Sequence, residues 1–365
     1  MLDIDVAACR GRQQRLLDVM HQHQVDLVIV TMIEHVQYLV GPRFGWMFQP
    51  AVALAADGRV TLVAPERRLP EVHAADELIG YEAQWHSTLR NDQRHESTQI
   101  LQDVLEMSRV RRLGYEFSCF TSYFSWEGLG FDIEPYLWQL RRRKDPDELA
   151  RLRMAIRGTD RMYQKAREMI RPGVNEIDVF NELQSAAVRE FGEPLTGTGN
   201  DYRCGARGGP PRDRPAQAGE LYILDLGPAY RGYFADNART IAVTSPTDSQ
   251  CQAFEYCQQV LQHVQQVVRP GKSARELFQE AQEILDASPV GAFNHHLGHG
   301  IGLFPHESPH LNPNWDDTFE EGDVFTAEPG LYDPQLEAGI RVEDDYVVTQ
   351  SGVEKLSHCP RELKL

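Results

Sequence analysis

The chain has 365 residues, which at roughly 100–200 residues per domain predicts two domains. Its 37 Lys and Arg against 54 Asp and Glu give a formal net charge of −17, which argues against a nucleic-acid binder and against docking on an anionic membrane. No CxxC pair, signal peptide or long apolar run occurs, so we expect a cytoplasmic protein without disulfides.

The N-terminal region alternates helix and strand patterns. We predict an amphipathic helix over 12–23 and strands over 26–31, 50–56 and 60–64, which together indicate an α/β fold. The basic run at 141–144 fits a solvated linker, and Asp145 with Glu148 forms a capping box for the next helix. The predicted domains are therefore residues 1–143 and 144–365.

The C-terminal region contains an internal repeat. Arg-Pro-Gly ends at Gly173 and again 98 residues later at Gly271, and a Phe and a Glu follow each copy at the same spacing. Pro-Gly ends one helix, and Asn175 or Ser273 is expected to cap the next. Although Arg-Pro-Gly is a common helix stop, the matched flanking residues favour a duplicated helix–turn–helix unit.

Four acids stand in apolar, strand-like surroundings. Asp225 and Asp236 are expected on adjacent strands of a hairpin, and the strand that holds Asp236 is predicted over 233–243. Glu328 ends a third strand, and Glu343 shares a face with Arg341 in a fourth. A lone Asp is usually a turn or capping residue, but a buried carboxylate needs a partner or a metal ion.

Histidines are concentrated near the C-terminus, where five of the 13 lie between 295 and 310. Glycines flank His299 and allow the backbone to approach a bound group. Residues 306–310 also match the helical zinc-protease signature His-Glu-x-x-His, but Pro305 and Pro309 oppose a helix, so we set that interpretation aside.

Carboxylates with one imidazole suit divalent manganese, cobalt, iron or zinc. Four carboxylates balance the charge of two divalent ions, which can share a water, lower its pKa and polarise a carbonyl. The candidate ligands are Asp225, Asp236, His299, Glu328 and Glu343.

These motifs resemble the creatinase/prolidase/methionine aminopeptidase superfamily, and more narrowly its Xaa-Pro dipeptidases and Xaa-Pro aminopeptidases. The resemblance implies a creatinase/prolidase-type α/β N-terminal domain followed by an α+β pita-bread catalytic domain with a pseudo-twofold repeat. The motifs that carry it are Asp225-Leu-Gly, Gly232 to Asp236, Gly298-His-Gly-Ile-Gly, Glu328-Pro-Gly and Ile340 to Asp344.

The resemblance also implies ligand roles. Asp225 would be a terminal ligand of one ion, Asp236 and Glu343 would bridge two ions, and His299 and Glu328 would bind the other. The implied cofactor is two divalent ions per chain, with Mn²⁺ as the first choice and Co²⁺, Zn²⁺ or Fe²⁺ as alternatives.

Four residues would carry the chemistry in such an enzyme. Glu328 would be general base and then general acid, and His306 would hydrogen-bond the substrate carbonyl or the tetrahedral intermediate. His295 would contact the substrate, and Arg341 would hold the metal carboxylates. The implied function is a homodimeric hydrolase that cleaves the Xaa-Pro amide bond of dipeptides or peptide N-termini through a metal-bridging hydroxide.

One departure leaves alternatives open. The peptidases usually carry a His about 17 residues before the first Asp ligand, near the scissile amide, but here that position is Gly208 and no His occurs from 96 to 262. Either Arg203 or Arg207 replaces it, or the substrate is a small non-peptide C–N compound, as in creatinase or ectoine hydrolase. A non-catalytic binding module is disfavoured because the ligand set is complete.

Overall fold

The computed structural model describes residues 2–45, 47–119 and 125–364. The chain forms two compact units, Met1–Arg141 and Arg142–Leu365. The N-terminal elements are α1 (Val6–His23), β1 (Leu27–Val30), α2 (Ile33–Val40), β2 (Ala51–Ala55), β3 (Val60–Pro65), β4 (Glu77–Tyr81), β5 (Gln84–His86), β6 (Leu89–Arg90), α3 (Gln93–Val104), β7 (Arg112–Tyr115), β8 (Leu129–Asp132) and α4 (Glu134–Arg142).

The first unit is built on a six-stranded mixed sheet of order β4-β3-β2-β1-β7-β8. The three predicted strands correspond to β1, β2 and β3, and the predicted α/β pattern is present. The predicted helix begins earlier than expected, at Val6, because the Asp5 side chain accepts a hydrogen bond from the Ala8 amide at 2.9 Å and caps its first turn.

The second unit begins with the capped helix that the sequence predicts, in which the Asp145 amide donates to Glu148 Oε2 at 3.0 Å. Its elements are α5 (Pro146–Met169), α6 (Glu176–Phe191), β9 (Asp201–Cys204), β10 (Leu221–Leu226), β11 (Ala229–Tyr230), β12 (Tyr233–Phe234), β13 (Asn237–Ala242), α7 (Asp248–Val267), α8 (Ala274–Asp286), β14 (Gly298–Gly300), β15 (Glu307–Leu311), β16 (Val324–Ala327), β17 (Gly330–Leu331), β18 (Ile340–Arg341), β19 (Asp344–Val348) and β20 (Val353–Lys355).

The helix turns repeat within this unit as the sequence predicts. Gly173 and Gly271 adopt φ of +90° and +89°, which favours glycine, and each amide donates to a backbone carbonyl of a later segment. Asn175 caps α6 and Ser273 caps α8. The pairs α5–α6 and α7–α8 are therefore two copies of one helix–turn–helix unit.

An antiparallel hairpin follows each helix pair. In the first copy β10 pairs with β13 in the sheet β13-β10-β9, and in the second β16 pairs with β19 in the sheet β15-β14-β16-β19-β20. A two-stranded ribbon interrupts each hairpin, β11–β12 in the first copy and β17–β18 in the second.

This interruption corrects one sequence expectation. The single strand predicted over 233–243 is two strands, because β12 pairs back on β11 whereas β13 pairs with β10. Asp236 therefore lies in the break between β12 and β13. Glu343 lies in the equivalent break between β18 and β19.

Buried side chains fix these strands against the helices. The Tyr163 hydroxyl of α5 contacts the carbonyls of Leu224 and Asn237 at 3.0 and 2.6 Å, which ties the helix to β10 and β13. In the second copy, Leu277 of α8 and Phe325 of β16 belong to one buried apolar cluster. The six cysteines are all free, as predicted.

No helix in the described ranges combines the length and apolar character needed to span a bilayer.

Candidate active site

The structure brings all five predicted ligands together in the second unit. The ligand oxygens of Asp225, Asp236 and Glu343 lie within 4.8 Å of one another. His299 Nε2 is 3.6 Å from Asp236 Oδ2 and 3.8 Å from Glu328 Oε1, so the histidine links the three carboxylates to the fourth.

The two hairpins place the carboxylates in matching positions. Asp225 stands on β10 opposite Ala238 of β13, and Asp236 precedes β13. In the second hairpin Glu328 follows β16 directly, and Glu343 precedes β19. Each hairpin thus supplies one acid at or directly after the end of its first strand and one from the break before its second. His299 comes from β14, the neighbour of β16.

The electrostatics of these carboxylates favour bound cations. Burial raises the pKa of Asp225, and it raises the pKa of Asp236 and Glu343 well above their usual range, with repulsion from neighbouring carboxylates adding to the effect. In the described part of the chain, Glu343 Oε2 is buried without a hydrogen-bond partner. Such oxygen-rich, imidazole-containing sets suit divalent transition metals, so the residues fit the expected ions.

Glu328 has a partner that the sequence analysis did not assign. His296 Nε2 donates to Glu328 Oε1 at 2.8 Å, and His295 Nδ1 lies 3.9 Å from Glu328 Oε2. Burial acts to raise the pKa of Glu328, but the hydrogen bond and the surrounding imidazoles outweigh it and lower the pKa to about 2. In the sequence, the only indication of a role for His296 is its place in the histidine-rich segment 295–310.

His306 also reaches the cluster. Its ring stacks on His299 with centroids 3.8 Å apart. The preceding loop is anchored by Glu307, which accepts from the Phe304 amide and from Lys144 Nζ, both at 3.0 Å. Glu307 begins the strand β15, so the His-Glu-x-x-His segment is not helical, as predicted.

The position of the absent histidine is filled from another segment. A Cβ at Gly208 would overlap the carboxylate of Asp201, which the sequence analysis did not single out. Asp201 accepts from the Gly209 amide at 2.5 Å and pairs with Arg341. Arg341 also lies 3.1 Å from Asp225, so its charge is shared by two carboxylates.

The two arginines proposed as replacements differ in their contacts. Arg203 Nε donates to the Pro210 carbonyl at 2.9 Å, so this side chain of β9 holds the loop that follows the strand. Arg207 lies over the ring of Tyr332, with 3.9 Å between its Cζ and the ring centroid. The Tyr332 hydroxyl is 3.1 Å from His295 Nε2, and burial raises the pKa of Tyr332 to about 12.

A two-unit fold that gathers four carboxylates and a histidine between duplicated hairpins is the architecture of a metallopeptidase. The model of metallopeptidase family M24 matches residues 150–350, and the creatinase/prolidase N-terminal domain model matches residues 12–133. The chain therefore belongs to metallopeptidase family M24. The predicted family, α/β N-terminal domain and pita-bread fold are confirmed.

Individual relatives agree with this assignment. A Xaa-Pro dipeptidase of Lactobacillus helveticus is 33% identical over 241 residues, 64% of this chain and 65% of the relative, so the chain spans slightly less than two thirds of it. An uncharacterized peptidase of Bacillus subtilis (strain 168) is 28% identical, with 96% of this chain and 98% of the relative covered. A prolidase structure from Pyrococcus furiosus matches with a TM-score of 0.79 at 25% identity, covering 94% of this chain and 100% of that chain.

Proposed function

We propose that the protein hydrolyses the Xaa-Pro amide bond of dipeptides or peptide N-termini with two divalent ions bound, and that residues 144–365 form its catalytic domain after an N-terminal domain of residues 1–143. The convergence of two buried carboxylates, two half-buried carboxylates and His299 carries this proposal. The names of the relatives supply the Xaa-Pro specificity.

Five residues would hold the two ions. Asp225, Asp236 and Glu343 would hold one, and His299 and Glu328, together with Asp236 and Glu343, would hold the other. Mn²⁺ is our first choice, with Co²⁺, Zn²⁺ or Fe²⁺ as alternatives. When bound, the ions would supply an acidified water and polarise the scissile carbonyl.

The side chains around the ions would transfer protons, contact the substrate and orient the ligands. Glu328 accepts a proton from the attacking water and returns it to the leaving amine, while the hydrogen bond from His296 fixes the orientation of its carboxylate. His306 donates to the carbonyl oxygen as negative charge develops there, and His295 contacts the substrate. Arg341 keeps Asp225 oriented toward the ions.

Metal analysis and a substrate panel test the proposal. Elemental analysis of the reconstituted chain is expected to give about two divalent ions, because four carboxylates need four positive charges. Asp236→Asn is expected to remove most bound metal and to lower kcat/KM on Ala-Pro at least 100-fold. Asp286→Asn, an exposed acid at the end of α8, serves as the control and leaves both unchanged. Fewer than one ion per chain in the wild type would contradict the two-ion site.

The second candidate is hydrolysis of a small non-peptide C–N compound. It is favoured by Asp201, whose carboxylate fills the place of the usual substrate-side His. The panel therefore includes longer Xaa-Pro peptides, creatine and ectoine, and turnover of the last two without dipeptide cleavage would select this candidate. We also propose that the protein is cytoplasmic and forms a homodimer. Analytical ultracentrifugation of the purified chain would test the dimer.

A further inference from the structure

His296 lies close enough to two of the candidate ligands to bind the same ion. Its Nε2 is 2.8 Å from Glu328 Oε1, and His299 Nε2 is 3.8 Å from the same oxygen. One ligand nitrogen from each histidine and an oxygen of Glu328 all lie within 4.8 Å of one another. Nitrogen and oxygen ligands bind Zn²⁺ at about 2.0–2.2 Å, so two ligands of one tetrahedral ion are separated by roughly 3.3–3.6 Å. The two measured separations bracket this value.

The backbone allows these two histidines to face the same side. In a regular strand, residues three apart point to opposite faces. Because β14 begins at Gly298, His296 precedes the strand and is free of this alternation. The adjacent His295 is engaged elsewhere, since its Nδ1 donates to the His296 carbonyl at 2.7 Å and its Nε2 accepts from the Tyr332 hydroxyl at 3.1 Å. Of the two consecutive histidines, His296 is therefore the one that faces the ligand cluster.

The candidate ligands form two groups that differ in chemistry. One group contains three carboxylates, from Asp225, Asp236 and Glu343. The other contains the carboxylate of Glu328 and two imidazoles. Carboxylates suit Mn²⁺, whereas imidazoles suit Zn²⁺, so a second imidazole changes which ion a position prefers.

We propose that His296 is a sixth metal ligand, and that it raises the preference for Zn²⁺ over Mn²⁺ at the position of His299 and Glu328. The position with three carboxylates stays suited to Mn²⁺. This inference rests on the proposed function and deepens it, because it adds a ligand and sets the choice of ion at one position. Imidazole binds an ion through a nitrogen that carries no proton, so the Nε2 proton that His296 shares with Glu328 passes to solvent when the ion binds.

Metal affinities measured in competition with a chelator test the proposal without turnover. His296→Asn is expected to weaken Zn²⁺ binding at one of the two positions about 100-fold and Mn²⁺ binding only about tenfold, because Zn²⁺ gains more from an imidazole. His310→Asn is the control, since this histidine belongs to the same segment but its ring contacts Asp317, and both affinities are expected to stay unchanged. Equal losses for the two ions would show that His296 only orients Glu328, and equal losses or no loss would overturn the proposal.

Anomalous diffraction from crystals of the wild type loaded with Zn²⁺ gives a test that needs no variant. His296 Nε2 is expected at about 2.0–2.1 Å from the ion that His299 and Glu328 hold. A separation above about 3 Å, outside the bonding range, would overturn the proposal and leave the two-ion site intact. The proposed function fails separately if the metal-loaded chain does not cleave Ala-Pro, and the diffraction result then still decides whether His296 is a ligand.

Discussion

Single residues show both what spacing predicts and what it misses. The order of the acids and His299 along the chain was enough to single out the five candidate ligands that the structure brings together, because each lies within a recognisable local motif. Asp201 and Arg341 stand 140 residues apart, and their pairing arises only when β9 and β18 come together. No local pattern marks such a pair, so the reason for a glycine at 208 became visible only in the structure.

The overlap at Gly208 leads to a stability prediction. Gly208→Ala is expected to lower the free energy of unfolding by about 1–3 kcal/mol, because its Cβ needs the space of the Asp201 carboxylate. In urea unfolding, Gly208→Ala is expected to cause no further loss of stability in an Asp201→Ala background, because the carboxylate that its Cβ would overlap is then absent. Gly352→Ala is the control, because its Cβ would meet no atom nearer than 4.0 Å. Additive losses in the double variant would show that Asp201 is not the cause.

At the scale of elements, the sequence predicted helix caps and strands well but not strand breaks. Asn175, Ser273 and the capping box at Asp145 act through neighbours within three residues, which a sequence pattern contains. The break before Asp236 depends on β12 and β13 choosing different partner strands. Partner choice is a tertiary property, so the apolar pattern indicated one continuous strand.

The first turn of α6 carries a buried charge with a predictable pH effect. Glu176 accepts from the Arg212 side chain at 2.7 Å and from the Arg212 amide at 2.8 Å, joining the helix to the loop after β9. Burial acts to raise the pKa of Glu176, but the Arg212 hydrogen bonds outweigh it and hold the pKa below 4.5. The ionised form is therefore the one that stabilises the fold.

Glu176→Gln is expected to lower the free energy of unfolding by about 2 kcal/mol at pH 7, the worth of hydrogen bonds to a charged group. Because the folded pKa is lowered, this difference from the wild type is full above pH 4.5 and shrinks as the pH falls through the lowered value. Urea unfolding of both proteins from pH 7 to pH 3 measures it. Glu182→Gln, an exposed acid on the same helix, is the control. A difference that is constant with pH would contradict an ionised Glu176.

For the whole molecule, the net charge of −17 comes from an excess of acidic residues, four of which are gathered in the candidate site. The sequence predicted two domains, and the structure has two compact units, Met1–Arg141 and Arg142–Leu365. All five candidate ligands lie in the second unit. The stability of that unit is therefore expected to depend on bound cations.

Removal of metal by a chelator is expected to destabilise the protein by about 3 kcal/mol relative to the protein in Mn²⁺ at 100 times the dissociation constant. Without cations, the buried carboxylates repel one another. Hydrogen exchange followed by mass spectrometry is expected to show faster exchange in β10, β13, β14, β16 and β19. Added Mn²⁺ is expected to slow amide exchange in these strands again in the wild type, but not in the Asp236→Asn variant. Unchanged exchange in these strands after metal removal would exclude a structural role for the ions.

The duplicated hairpins also make the candidate site depend on both copies of the repeat. One hairpin supplies Asp225 and Asp236, and the other supplies Glu328 and Glu343, so either half alone carries only two of the four charges. Two free half-length chains would have to associate face to face to assemble the complete set. The centre therefore occupies the junction between the two copies, and neither copy can assemble it alone. His299 is contributed by one half alone, and Asp201 by the other.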